Sequence, residues 1–168
     1  MATAIIVHHK IAEITVQMGE LVMERTEMLE LWNDMWKEGN WVPSWPDSLS
    51  GLTAEDAAWK PDAKTHSLWQ EVVHTIFWRR YTLTSMAGGA VPSTEEVRRQ
   101  EFAAPKDANE AAWTATVQDL EQTQMEIAEA IQNPDKDVSR VPYHLIHDAY
   151  HLGRITQLRR MQGTEPKF

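Results

Sequence analysis

The chain has no cysteine. That excludes disulfides, thiolate-ligated zinc and any thiol nucleophile of the protein's own. Thiol chemistry here needs a thiol carried in by a cosubstrate. Positive charge is also scarce: 16 Lys and Arg stand against 25 Asp and Glu, a net charge of −9. Nucleic acids and anionic membrane surfaces both select clustered positive charge, so neither is an expected partner. Long apolar runs are missing. No stretch approaches the roughly 20 residues of a membrane span. The run from Ala4 to Val7 is too brief for the apolar core of a signal peptide. A cytoplasmic protein acting on a small molecule is therefore expected. No strand is expected, since the connecting segments lack period-two alternation and Val/Ile-rich runs.

What the chain does have is helical periodicity. At 168 residues with 42 % hydrophobic content it is long enough for one domain with a proper core, spanning residues 1–168. From about Ile5 to Glu38, apolar residues from Ile11 through Met28 and Trp32 to Trp36 recur at three- and four-residue steps, with Gly39 as the stop. Residues 40–66 form a long connection rich in proline and tryptophan, holding one short capped helix from Thr53 to Trp59. Ser67 with Gln70 opens a second long helix that ends at Gly88 and Gly89. Ser93 with Glu96 opens a short one. Asp107 with Glu110 is placed to cap the third long helix, whose stripe of Trp113, Val117, Leu120, Ile127, Ala128 and Ile131 is interrupted by Gln124 and ends at Asn133-Pro134. Ser139 is placed to cap the fourth, which tolerates Pro142 in its first turn and stops at Gly163. The short link between the last two long helices predicts antiparallel neighbours. The expected fold is all-α, a four-helix bundle with short extra helices in its crossovers. The eight tryptophans read mainly as large core residues, each needing a partner for its N–H when buried.

The chemistry concentrates in the last helix, in His144-Leu145-Ile146-His147-Asp148-Ala149-Tyr150-His151-Leu152-Gly153. His147 and His151 are one turn apart and can chelate one ion. Exposed pairs that bind nothing share this spacing. By helical arithmetic Leu145, Ala149, Leu152 and Thr156 form the core stripe, and the histidines lie about 140° from it, facing solvent or a cleft. His74 on the second long helix lies about 130° from that helix's apolar face. It is the candidate third ligand, with His144 as competitor and His66 as a capping-region or surface residue. Three neutral imidazoles suit Zn, Ni or Fe and leave coordination positions open. Glu71 and Asp148, each three residues before a candidate ligand, are either orienting carboxylates or solvated acids.

These residues carry a resemblance. Gly51-Leu52-Thr53 through Trp59-Lys60-Pro61, His66-Ser67-Leu68-Trp69 with His74, and His147-Asp148-Ala149-Tyr150-His151-Leu152-Gly153 are similar to the DinB/YfiT superfamily of metal-binding helical bundles. The N-terminal helix matches only in pattern. The resemblance implies an up-down-down-up bundle, often a homodimer, with a three-histidine divalent-metal site at His74, His147 and His151. Characterised relatives include thiol-dependent S-transferases and a maleylpyruvate isomerase that use low-molecular-weight thiols such as bacillithiol or mycothiol. The family's usual Gln after its final motif is replaced here by Arg154. That residue, with Trp78 and Tyr81, is a candidate for binding substrate; no residue is assigned a catalytic role. The expected function is a metal-dependent transferase with a thiol cosubstrate. The alternatives are a non-catalytic metal-binding protein of the stress-response type, a metal-dependent hydrolase, or a helical interaction module with incidental histidines.

Overall fold

The computed structural model describes residues 23–165. These residues contain seven helices and no strand: α1 (Arg25–Lys37), α2 (Trp45–Leu49), α3 (Ala54–Ala58), α4 (Leu68–Met86), α5 (Thr94–Gln100), α6 (Glu110–Gln132) and α7 (Val141–Gln162). The N-terminal part of the first expected helix, from Ile5, lies outside the described residues.

Local chemistry sets most of the ends. Thr53, Ser67 and Ser93 each accept a hydrogen bond from the backbone N–H three residues on, and the residue there returns one, closing three capping boxes. Gly39 has φ +64 and a Cβ there would meet the Val42 carbonyl at 2.3 Å, so the turn after α1 requires glycine. Gly163 ends α7 in the left-handed conformation. Two expected caps are corrected. Asn109, not Asp107, caps α6, its side-chain oxygen accepting from the Ala112 N–H at 3.0 Å, while Glu110 accepts instead from the Ala54 N–H at 2.8 Å. The residue before α7 is Arg140, not Ser139, and it makes no side-chain cap; Pro142 fills the first turn, where no N–H is needed. The connection of residues 40–66 also holds a second short helix that periodicity alone does not reveal. In this segment, α2, Ser44 caps and Pro46 occupies the first turn.

Side-chain contacts give the directions of the long helices. Trp32 pairs with Gln124 and Arg25 with the Ile131 carbonyl, so α1 and α6 are antiparallel. Trp69 bonds Thr116 and Arg79 bonds Thr123, so α4 and α6 are parallel. Glu71 meets His151 while Thr82 meets His144, so α4 and α7 are antiparallel. The order is up, down, down, up. α6 and α7 are antiparallel as expected but not side-by-side neighbours: each packs instead on α1 and α4. They face each other across the core because the eight residues between them can cross it, at about 3.3 Å per extended residue.

Two apolar clusters fill the interior. One contains Trp45, Trp69, Trp113, Leu120 and Ile155; the other contains Met28, Trp32, Ile127, Ile131 and Val141. At about 25 cal/mol per Å² and about 150 Å² or more per ring, each buried indole contributes roughly 4 kcal/mol of burial. Each also satisfies its N–H: Trp32 on the Gln124 carbonyl, Trp69 on Thr116, Trp113 on the Leu52 carbonyl and Trp45 on Asp148. Gln124, the apparent interruption of the α6 stripe, returns its amide to the Trp32 carbonyl at 3.0 Å. Between the clusters lies an ion pair of Arg79 with Asp148, each fully buried. The guanidinium sits 4.7 Å from the centroid of Trp32 and 5.7 Å from that of Trp45, one ring from each cluster.

The histidines are not off the core, and here the sequence reading is corrected. His74, His144 and His151 are buried, and His147 is partly so. The buried line on α7 runs through Val141, His144, Asp148, His151, Ile155 and Leu158. Leu152 is buried as expected, with Leu145 and Ala149 packed on the same core; apolar positions alone leave out the polar half of a wider buried face.

Candidate metal centre

Two helices deliver three imidazoles to one point. α4 supplies His74; α7 supplies His147 and His151, one turn apart. The Nε2 atom of His147 lies 3.1 Å from Nε2 of His74 and 3.1 Å from Nε2 of His151. Two nitrogens held at about 2.0–2.1 Å from a tetrahedral ion lie about 3.3 Å apart. The spacing thus fits ligands of a shared ion.

The protonation pattern fits as well. His74 Nδ1 lies 3.2 Å from the backbone carbonyl of Glu101, which can only accept, so Nδ1 carries the proton and Nε2 is left as a lone pair. His151 Nδ1 lies 2.7 Å from the Glu71 carboxylate, with the same consequence. Burial, reinforced by the neighbouring His151 and His147, pushes His74 down to about 3, so it is neutral near pH 7. Two lone pairs therefore point at His147 Nε2. One proton on that atom satisfies one of them; a shared cation satisfies all three nitrogens. His74, His147 and His151 can accordingly hold a metal ion.

The surroundings hold these rings in place. Burial pushes the Glu71 carboxyl up, but hydrogen bonds from His151 and Arg154 outweigh it and keep the group ionised below the ordinary carboxylate range. Arg154 commits its Nε to Glu71 at 2.8 Å. So Glu71, three residues before His74, orients His151 and not its own helical neighbour. Asp148 is likewise ionised: burial pushes its carboxyl up, and the Arg79 charge and hydrogen bond, together with the neighbouring histidines, outweigh that and hold it below the ordinary range. Its free oxygen faces His147 Nδ1 at 3.9 Å, and neither atom has a hydrogen-bond partner among the described residues. His144, the competing ligand, bonds Thr82 Oγ1 at 2.8 Å and groups with His147 and Asp148 rather than with the triad. His66 stacks on Phe102, whose other face stacks on His74 with centroids 3.9 Å apart.

Trp78 and Tyr81 are adjacent, with ring centroids 5.3 Å apart, and Trp78 also lies edge-on to His74. A cavity of about 400 Å³ opens beside the triad, lined by Trp78, Thr82, Arg140, Tyr143, His144 and His147. Tyr81 and Arg154 are not among its lining residues. The contributions of the Glu101 carbonyl, Phe102, Arg140 and Tyr143 escaped the sequence reading. Phe102 had one available signal, as the lone aromatic in the polar stretch from Thr94 to Ala112.

Glu71→Gln keeps the shape but removes the charge behind His151. Its expected effect is a loss of about 10–100-fold in zinc affinity, read by competition with a chromophoric chelator. An unchanged affinity would remove Glu71 from the site's design.

No curated protein and no solved structure matches the chain. A family model, that of the DinB superfamily, matches residues 44–156, well over half of the sequence and every residue of the triad. The match runs from the cap of α2 into α7 and leaves α1 outside it. By that match, and with three histidines gathered between two helices of an all-helical bundle, the chain belongs to the DinB superfamily.

Proposed function

We propose that this protein binds one divalent ion at His74, His147 and His151 and uses it as a transferase acting with a low-molecular-weight thiol. The observation that carries the metal reading is the meeting of two buried imidazole lone pairs at His147 Nε2. Three protein ligands leave coordination positions for a guest, which is the arrangement of catalytic rather than structural sites. When bound, such an ion lowers the pKa of a thiol that reaches it, so that a thiolate is present near pH 7.

The chain's own residues do the rest. Glu71 and the Glu101 carbonyl fix the ring tautomers. Phe102 covers one face of His74 and excludes water from that side. His147, the most accessible of the three, is a wall of the cavity, so a guest in the cavity approaches along it. In the transfer the thiol gives its proton to solvent and its sulfur forms the new bond to carbon. The leaving group departs with the bonding pair, and no oxidant or reductant is consumed. The absence of cysteine means that no protein thiol competes with the cosubstrate.

Monochlorobimane tests this reading with a panel of small thiols. The metal-loaded protein should accelerate fluorescent conjugate formation with at least one thiol, and a chelator should abolish the acceleration. Metal binding at full occupancy with no acceleration for any thiol would favour a non-catalytic metal-binding protein.

A further inference from the structure

We infer that the cavity beside the triad takes an anionic, amphipathic small molecule: an apolar body held between Trp78 and Tyr143, and a carboxylate or similar anion docked on Arg140. The inference rests on the metal reading above and specifies the substrate class of that same site. Around the triad the arginines are Arg79, Arg154 and Arg140. Arg79 is buried against Asp148 and Arg154 is bonded to Glu71. Arg140 lines the cavity and makes no ion pair or side-chain hydrogen bond among the described residues. The nearest acid in sequence, Asp137, is held below the ordinary range first by hydrogen bonds from Ser139, whose N–H lies at 3.0 Å, and only then by the Arg140 charge, with which it forms no ion pair. In a protein of net charge −9, an unpaired guanidinium at a cavity mouth is the local feature that would select an anion.

The rest of the cavity selects the other end of the guest. Trp78 and Tyr143 give it aromatic walls; Tyr143 is 72 % exposed, so its ring is free to close over a bound chain. The hydroxyl of Thr82 is engaged by His144 Nε2 within the cavity wall. Arg140 precedes His147 by seven residues, about 10 Å along the helix axis. A guest whose reactive atom sits at the triad must therefore carry its anion several bonds away. A short acid cannot reach both.

Cobalt(II)-loaded protein tests this without any turnover, because a sulfur ligand gives cobalt a charge-transfer band. Three probes suffice: ω-mercaptohexanoate, ω-mercaptohexanol and mercaptoacetate. Mercaptohexanoate should bind about tenfold more tightly than mercaptohexanol, the scale of one charge-assisted hydrogen bond. Arg140→Met should erase that advantage and leave the alcohol's affinity and the mercaptoacetate affinity unchanged. Trp78→Ala should weaken both long thiols. Arg140 is exposed and caps nothing, so its replacement leaves the fold intact. Equal affinity for the two long thiols, or an advantage that survives Arg140→Met, overturns the assignment of the cavity while the metal–thiol reading stands. If no thiol alters the cobalt spectrum, the metal–thiol reading fails and the assignment falls with it.

Discussion

His147→Ala should abolish metal binding and leave the bundle standing. His147 is the common point of the two short nitrogen–nitrogen contacts, so its removal takes away the centre of the ligand set. Loss of an orienting group behind a ligand already costs about 10–100-fold in affinity. Loss of the ligand itself should exceed about 100-fold, and occupancy at micromolar zinc should fall to near zero. The metal-free protein should stay folded with only a modest loss of stability. His147 is partly exposed and its Nδ1 has no partner, so the loss is confined to the one hydrogen bond its Nε2–H supplies to His74 or His151, at most about 1–3 kcal/mol. His151→Ala is a poorer choice. His151 is buried and its Nδ1 holds the Glu71 carboxylate, so this change also leaves a buried acceptor short of a partner, at about 1–3 kcal/mol. Retained zinc binding in a folded His147→Ala protein would refute the site.

Arg79→Met should cost about 3–5 kcal/mol, the largest loss expected from any single substitution of a charged residue here. Asp148 would remain in the core as an uncompensated carboxylate, and the stacking between Trp32 and Trp45 would be lost. The double variant Arg79→Met/Asp148→Leu should recover part of that loss, because a buried ion pair replaced by apolar groups of similar size is often close to neutral, less the cost of leaving the Trp45 N–H without its acceptor. Urea unfolding of the two variants, free of metal, measures both. A single variant as stable as the parent would mean that the pair contributes nothing.

The buried titratable groups also fix the sign of the acid response. His74 and His144 are depressed to about 3 and about 4, by burial first, so unfolding lets each take up a proton below the ordinary histidine value of about 6.5. Stability from these two is fully present above about 6.5 and declines as pH falls toward the folded values. Glu71 and Asp148, held below the ordinary carboxylate range, add stability that is lost on further acidification below about 4. The metal-free protein should therefore begin to lose melting temperature between pH 7 and 5, ahead of carboxylate titration. A melting temperature flat from pH 7 down to 5 would contradict this.

Much of this arrangement can be read without coordinates. Three of the capping boxes, the long helices and the glycine stops follow from local rules, and the i, i+4 spacing of His147 and His151 nominates them directly. The reading fails where polar groups face inward. Apolar periodicity places the α7 core on Leu145, Ala149 and Leu152, which do pack there, but it misses His144, Asp148 and His151, buried on the same helix. A carboxylate in a helix looks solvated unless its partner is known, and Arg79 lies on another helix, 69 residues away. The same limit applies to Arg154. Sequence shows the charge but not the Glu71 that engages it, so Arg140 is passed over. Partners across the bundle are tertiary facts, and they decide which charges remain available.

Crystals grown with zinc and measured on both sides of the zinc absorption edge test the central claim most directly. The account predicts one anomalous peak per chain, within about 2.0–2.1 Å of the Nε2 atoms of His74, His147 and His151. No peak at that point, or an ion bound by other residues, would contradict it.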